Sequence, residues 1–457
     1  MLAKNFSIHA LALVTAVLCT HSVAEELPSF SGQNLLDIYQ TALSRDPSWA
    51  SARSANLAAQ EKLEQGKALY RPTVKLNSNA SESETNVKYL GEGSVFRNEG
   101  RERFNTFAYG INVNQPIFRK ENMVLYEQSK LQVSQADQQL ILARQNLMLR
   151  VSQAYFDVLL AQDNIELINA QKSAISRQLE QANANFEVGT STITDVNEAK
   201  ARYDLTIAQE IAALNDLEIK KRAVQAITGS MPQVLAPVRV DLQPKQPEPA
   251  DMDSWVNIAQ QNSLAIAIQQ QNLEIATREV ERARAGHLPT LDAVASYTDT
   301  RNSGSANGFG SDLENLTIGV QLEIPIYQGG AVSSRTREAA ANMQRAQEDV
   351  EVARRQAELD TRQAYLDVSS GVAQVKALEQ ALASSQSQLD STSLGYEVGV
   401  RTSVDVLNAQ QQFYSAKRDL LQARYNYLLG AIRLKSATGL LTENDLVEIN
   451  QQLLASR

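Results

Sequence analysis

Thr192-x-x-Asp195 and Thr402-x-x-Asp405 are the two places where residue type and spacing suggest specific polar chemistry. A threonine followed three places on by an acid is a capping-box-like helix start: the hydroxyl accepts from a free backbone N–H, and the early carboxylate complements the helix dipole. Catalysis finds little support. Beyond residue 24 the chain has one histidine, His287, so neither a histidine triad nor a histidine metal cluster has a second member. Gly304, Gly308 and Gly310 lack the GxxxxGK[ST] pattern of a phosphate loop. No enzymatic activity, metal or other cofactor is expected.

Both segments belong to a pattern written twice, about 210 residues apart. Phe186-Glu-Val-Gly189-Thr-Ser-Thr192-Ile-Thr-Asp195 returns as Tyr396-Glu-Val-Gly399-Val-Arg-Thr402-Ser-Val-Asp405. Gln153-Ala-Tyr-Phe-Asp-Val158 recurs as Gln363-Ala-Tyr-Leu-Asp-Val368, Pro72-Thr-Val matches Pro289-Thr-Leu, and Pro116-Ile-Phe matches Pro325-Ile-Tyr. The chain reads as two structural repeats, 25–230 and 252–457. They are joined by a Pro-rich linker, 231–251, that carries Pro232, Pro237, Pro244, Pro247 and Pro249.

Proline placement divides each repeat into elements. None occurs between Pro116 and Pro232 or after Pro325, leaving two windows rich in Ala, Gln, Leu, Glu and Arg where helices run unbroken. Each window predicts one helical hairpin, about 120–228 and about 331–437, turning at Gly189 and Gly399, where glycine takes the left-handed conformation that ends a helix. The first helix reaches on the order of 100 Å at 1.5 Å per residue. The return helices carry coiled-coil-like stripes, Val406, Ala409, Phe413, Ala416 and Leu420 in one and Val196, Ala199, Tyr203 and Ile207 in the other. An ordinary bundle core accounts for that spacing as well as a helical tube does.

Four strands are predicted, about 72–85, 104–117, 289–300 and 314–326. Phe107, Tyr109, Ile111 and Val113 alternate with small or polar residues, as do Leu316, Ile318, Val320, Leu322 and Ile324. The connections, Ser81 to Arg103 and Arg301 to Glu314, read as solvated loops. A soluble sheet packed on one side explains the alternation equally well, but strands of this length with one apolar face are also what an outer-membrane barrel requires. Four strands cannot close a barrel, whose small members have about eight, and open edges in lipid leave backbone groups unpaired. A membrane reading therefore requires several chains to share one barrel.

Compartment and partners follow from the termini and the charge. Lys4, the apolar stretch Ala10 to Leu18 and Ser22-Val-Ala24 predict a signal peptide over 1–24, with cleavage before Glu25. Cys19 is the only cysteine, so cleavage there leaves none. A net charge of −9 with no basic run argues against nucleic-acid binding.

Gly395-Tyr396-Glu-Val-Gly399-Val-Arg401-Thr402-Ser-Val-Asp405-Val-Leu407, Pro325-Ile-Tyr327-Gln-Gly-Gly330, His287-Leu-Pro289-Thr-Leu291 and Ala423-Arg-Tyr-Asn-Tyr427-Leu closely resemble the TolC family of outer-membrane channel proteins. The resemblance spans Glu25 to Gln451. It implies a mixed α and β membrane protein: a homotrimer whose chains give four strands each to one 12-stranded β-barrel in outer-membrane lipid, continued by a long periplasmic α-helical barrel. The implied function is a passive exit duct for drug-efflux pumps or type I protein secretion, docked to a periplasmic adaptor (membrane fusion protein) and an inner-membrane transporter of RND, ABC or MFS type. The resemblance also implies a periplasmic gate in which Tyr396 and Arg401 of the second turn donate to Thr194 and Asp195 of the first. The family motif continues Asp-Val-Leu-Asp and places both acids at a cation-favouring pore constriction. This chain has Asp405-Val-Leu-Asn408, so its second acid layer becomes amide and block by multivalent cations should be weaker, sharpening if Asp is restored at 408. The competing class is a periplasmic coiled-coil adaptor or interaction protein without a transmembrane barrel.

Overall fold

The structure is a computed structural model, described here for residues 32–88, 99–239, 242–306 and 308–453. The predicted signal peptide, with Cys19, lies outside the described residues. The chain runs through two similar halves. The first comprises α1 (Leu35–Arg45), α2 (Pro47–Ala68), β1 (Thr73–Val87), β2 (Gly100–Phe118), α3 (Lys120–Glu187) and α4 (Ile193–Thr228). The second comprises α5 (Met252–Asn262), α6 (Leu264–Ala285), β3 (Thr290–Asn302), β4 (Ser311–Glu323), α7 (Ala331–Glu397) and α8 (Ser403–Ala437), followed by α9 (Glu443–Gln451).

The proline-free windows form two hairpins, each with one helix about twice as long as the other. α3 has 68 residues and α7 has 67, whereas α4 has 36 and α8 has 35. The helices preceding each pair of strands pack along the long ones, α2 against α3 and α6 against α7 and α3. Asn122 donates to the Leu69 carbonyl at 2.7 Å and Asn56 donates to Asp137 at 2.8 Å, fixing α2 along the upper part of α3. Lower down, Lys172 of α3 pairs with Glu210 of α4 at 2.6 Å. Nothing in the long-window argument predicted α1, α2, α5, α6 or α9. The starts of α1, α2 and α5 are nonetheless locally encoded: Asn34 and Asp251 cap α1 and α5, Asp46 caps α2 by accepting from the Trp49 N–H at 2.7 Å, and Pro47 occupies the first turn, where its missing N–H costs nothing.

The four strands make one antiparallel sheet in the order β1-β2-β3-β4, with β1 and β4 each paired on one side only. The registers Leu76↔Ile111, Ile111↔Tyr297 and Tyr297↔Leu316 set one row of apolar residues across the sheet. In the single chain this face is bare: Leu76 is 72% exposed and Ile318 78%. Pairing runs further than expected at the loop ends and less far at one sheet end. Asn86–Val87, Gly100–Arg103, Arg301–Asn302 and Ser311–Leu313 lie outside the predicted strands yet are strand, whereas β4 stops at Glu323, short of the expected end at 326 and before Pro325, which has no N–H to give a ladder. Charged residues there pair across strands instead of solvating separately, Arg103 reaching Glu84 at 3.0 Å and Arg301 reaching Asp312 at 3.6 Å. No helix among the described residues is long and apolar enough to cross a membrane.

The main core is a belt at the middle of α3. Leu147, Val151, Tyr155 and Phe156 pack with Leu35 and Tyr39 of α1, Leu428 and Ile432 of α8, and Leu446 of α9. Each aliphatic or phenylalanine side chain among them contributes about 1.5–3 kcal/mol by leaving water. The Pro-rich stretch passes through this belt: Leu235, Ala236 and Leu242 are buried, and the Ala236 carbonyl accepts from the Tyr155 hydroxyl at 2.8 Å.

Candidate functional site

The two hairpin turns have one geometry. Gly189 has φ +77° and Gly399 φ +82°, the left-handed region where a side chain would be strained. The Gly189 N–H donates to the Phe186 carbonyl at 3.0 Å and the Thr190 N–H to the Asn185 carbonyl at 2.8 Å; Gly399 to Tyr396 and Val400 to Gly395 repeat this at 3.0 and 2.9 Å. These bonds satisfy carbonyls that the ending helix leaves open.

Each return helix then starts from a complete capping box. The Asp195 carboxylate accepts from the Thr192 N–H at 3.0 Å, from the Thr192 hydroxyl at 2.8 Å and from Ser191 at 2.9 Å, all on one oxygen. Asp405 accepts from the Thr402 N–H at 3.0 Å and its hydroxyl at 2.9 Å. The backbone bond from each threonine is the main cause holding both carboxyls below the usual carboxylate range, and the Arg401 charge adds to the effect at Asp405.

Tyr396, Arg401, Thr194 and Asp195 are not joined to one another within one chain. The Tyr396 hydroxyl instead accepts from the Asn185 amide at 3.2 Å, linking the end of α3 to the end of α7. Arg401 folds back over Gly395, where an added Cβ would lie 2.8 Å from its Cγ, and its charge acts on Asp405 of its own hairpin. Thr194 is exposed.

Asn408 is exposed, yet its amide oxygen accepts from the Arg202 guanidinium at 2.9 Å, and a second Arg202 nitrogen donates to Gln411. This contact crosses from α4 to α8. Beside it Leu407 is buried with Ile175, Ala182 and Ala199, and Gln178 donates to Ser403 at 3.4 Å. At the seam a cavity of about 450 Å³ opens between the first hairpin and α8, with Arg202, Thr206, Gln411 and Tyr414 on its wall beside Ile175 and Leu407.

Asn185, Arg202 and Gln411 were missed by motif reading, although the duplication contains a signal for them. At the repeat offset, Asn185 stands against Gly395, Phe186 against Tyr396, Glu198 against Asn408 and Arg202 against Gln412. The cross-hairpin bonds occur where the copies differ.

The family described as outer membrane efflux protein matches residues 38–230 and 255–440. The chain is 32% identical over 427 residues to the outer membrane protein TolC of Vibrio cholerae, covering 93% of this chain and 95% of that one. It is 30% identical to the proteases secretion protein PrtF of Dickeya chrysanthemi, covering 95% and 94%. Among solved structures, the channel-forming CusC matches with a TM-score of 0.76 over 90% of this chain and 93% of that one, at 19% identity, a likeness of fold.

Proposed function

The chain belongs to the outer membrane efflux protein family, and from that premise we propose how it works as an outer-membrane exit duct for efflux and type I secretion. Three copies close one 12-stranded barrel in outer-membrane lipid and continue it as a helical barrel into the periplasm. The observation that carries this reading is the sheet: four strands with an exposed apolar face and an unpaired edge on either side, seated on two long hairpins. Edges cannot stay open in lipid, and three copies give the twelve strands that the family resemblance implies.

The duct is a passive conduit rather than an enzyme. Its relatives are named as outer-membrane and secretion proteins, and the energy for export comes from an inner-membrane transporter of RND, ABC or MFS type reached through a periplasmic adaptor. The hairpin turns form the periplasmic gate, with Asp405 at the constriction. In a ring every hairpin has two neighbours. Arg401, which bonds to no residue of its own first hairpin among the described residues, then donates to Thr194 and Asp195 of the partner subunit, while Tyr396 holds the hairpins of one chain together.

Fractionation tests the assembly: the protein should be recovered from the outer membrane as a trimer that dissociates on heating, and a soluble periplasmic monomer would overturn the reading. Deleting the gene should raise drug susceptibility, abolish a secreted protein, or do both, and the pattern identifies the cargo.

A further inference from the structure

We propose that Arg202 is a cationic clasp between the hairpins that also governs how much charge residue 408 presents to the pore. The inference rests on the hairpin turns being the mouth of the duct and goes beyond the gate residues named above.

Arg202 is on α4, and its two acceptors, Asn408 and Gln411, stand one turn apart on α8. A planar guanidinium suits this arrangement because its nitrogens can serve two acceptors at once, which also fixes the side chain's direction. The clasp borders the apolar seam in which Leu407 packs on Ile175, Ala182 and Ala199, so separating α8 from the first hairpin must break both. Both acceptors are neutral amides. Among the described residues the carboxylate that pairs with it is Glu198, one turn back on the same helix at 3.8 Å.

Asn408 therefore does more than remove an acid from the pore. An aspartate at this position would lie within hydrogen-bond reach of Arg202 and pair with it, so its charge would be largely spent on the clasp. The same substitution would strengthen the hold on α8, because the guanidinium would face an opposite charge with which it can pair in its fork geometry instead of a neutral amide. Restoring the acid alone should thus narrow the mouth while adding little cation affinity. Its full effect on the pore needs Arg202 removed.

The test is a double-mutant cycle on the full-length trimeric channel in planar bilayers, with hexamminecobalt as the trivalent probe. Arg202→Gln and Asn408→Ala should each raise conductance, whereas Asn408→Asp should lower it. In the presence of Arg202, Asn408→Asp should shift half-blocking concentration by less than about threefold; in the Arg202→Gln background the same change should shift it by about tenfold, as expected for directly contacting residues. Equal shifts in both backgrounds would overturn the proposal. Heat stability of each trimer separates gating from misfolding, and Arg202→Lys, which keeps the charge without the fork, should lie between wild type and Arg202→Gln. Tyr396→Phe/Arg401→Ser runs alongside: a conductance rise there with no coupling at 202 and 408 sinks the clasp alone. Coupling without that rise sinks the gate assignment and leaves the clasp.

Discussion

Asn185 donates its amide to the hydroxyl of Tyr396 at 3.2 Å, joining the last turn of α3 to the last turn of α7. The equivalent positions of the duplicate are Gly395 and Phe186, neither of which can make this bond. Divergence at these two positions has turned two similar hairpins into a clasped pair. The backbone turns remain alike, from the left-handed glycines to the capping aspartates.

Acid should loosen these turns. Asp195 and Asp405 have carboxyls held below their ordinary value by bonds from Thr192 and Thr402. A depressed folded value means the caps contribute fully above the unfolded value, about 3.9, and lose that contribution as pH falls through the lower folded one. Hydrogen-exchange protection at the Asp195 and Asp405 amides should fall in that window, and Asp195→Asn should remove the fall at its own turn.

Two equivalent glycines should respond unequally to alanine. Gly229 has φ +73° and open space around a new Cβ, with Arg45 Cδ nearest at 3.8 Å; Gly439 has φ +75°, but its Cβ would sit 2.2 Å from the Asn262 carbonyl oxygen. Gly229→Ala should cost about 1–2 kcal/mol from backbone strain alone. Gly439→Ala forces backbone apart as well and should cost more than about 3 kcal/mol. The heat-dissociation temperatures of the two trimers give the comparison.

Charge on the two faces of β4 should have opposite fates. Ile318 is on the apolar face and Thr317, its neighbour, points to the other. Ile318→Arg should cost about 2–4 kcal/mol per chain if that side meets the bilayer interior, lowering the amount of trimer in outer-membrane fractions. Thr317→Arg should insert normally. Equal recovery would argue against lipid on the Ile318 side.

Legibility in the sequence follows the range of the interactions. The two-half architecture was visible because proline exclusion, turn glycines and strand alternation are local signals repeated in each copy. The shorter helices were not, since α2 buries little of its own surface and leaves Leu57 65% exposed, blurring its periodicity. Strand ends beside the loops are less legible, because Arg101 and Arg103 look like loop residues until they pair with Glu84 across the strands. Among the site residues, the caps and turns were readable from spacing. Asn185 and Arg202 were not, because each reaches an acceptor about 200 residues away whose nearness depends on how the hairpins pack.

The gated duct is tested most directly by single-channel conductance in planar bilayers, comparing the full-length trimer with its Tyr396→Phe/Arg401→Ser variant. Removing the Tyr396 hydroxyl and the Arg401 guanidinium should weaken the closed mouth by about 1 kcal/mol or more per lost bond, and conductance should rise well above wild type. Unchanged conductance in a variant that still forms a heat-sensitive trimer would contradict the account.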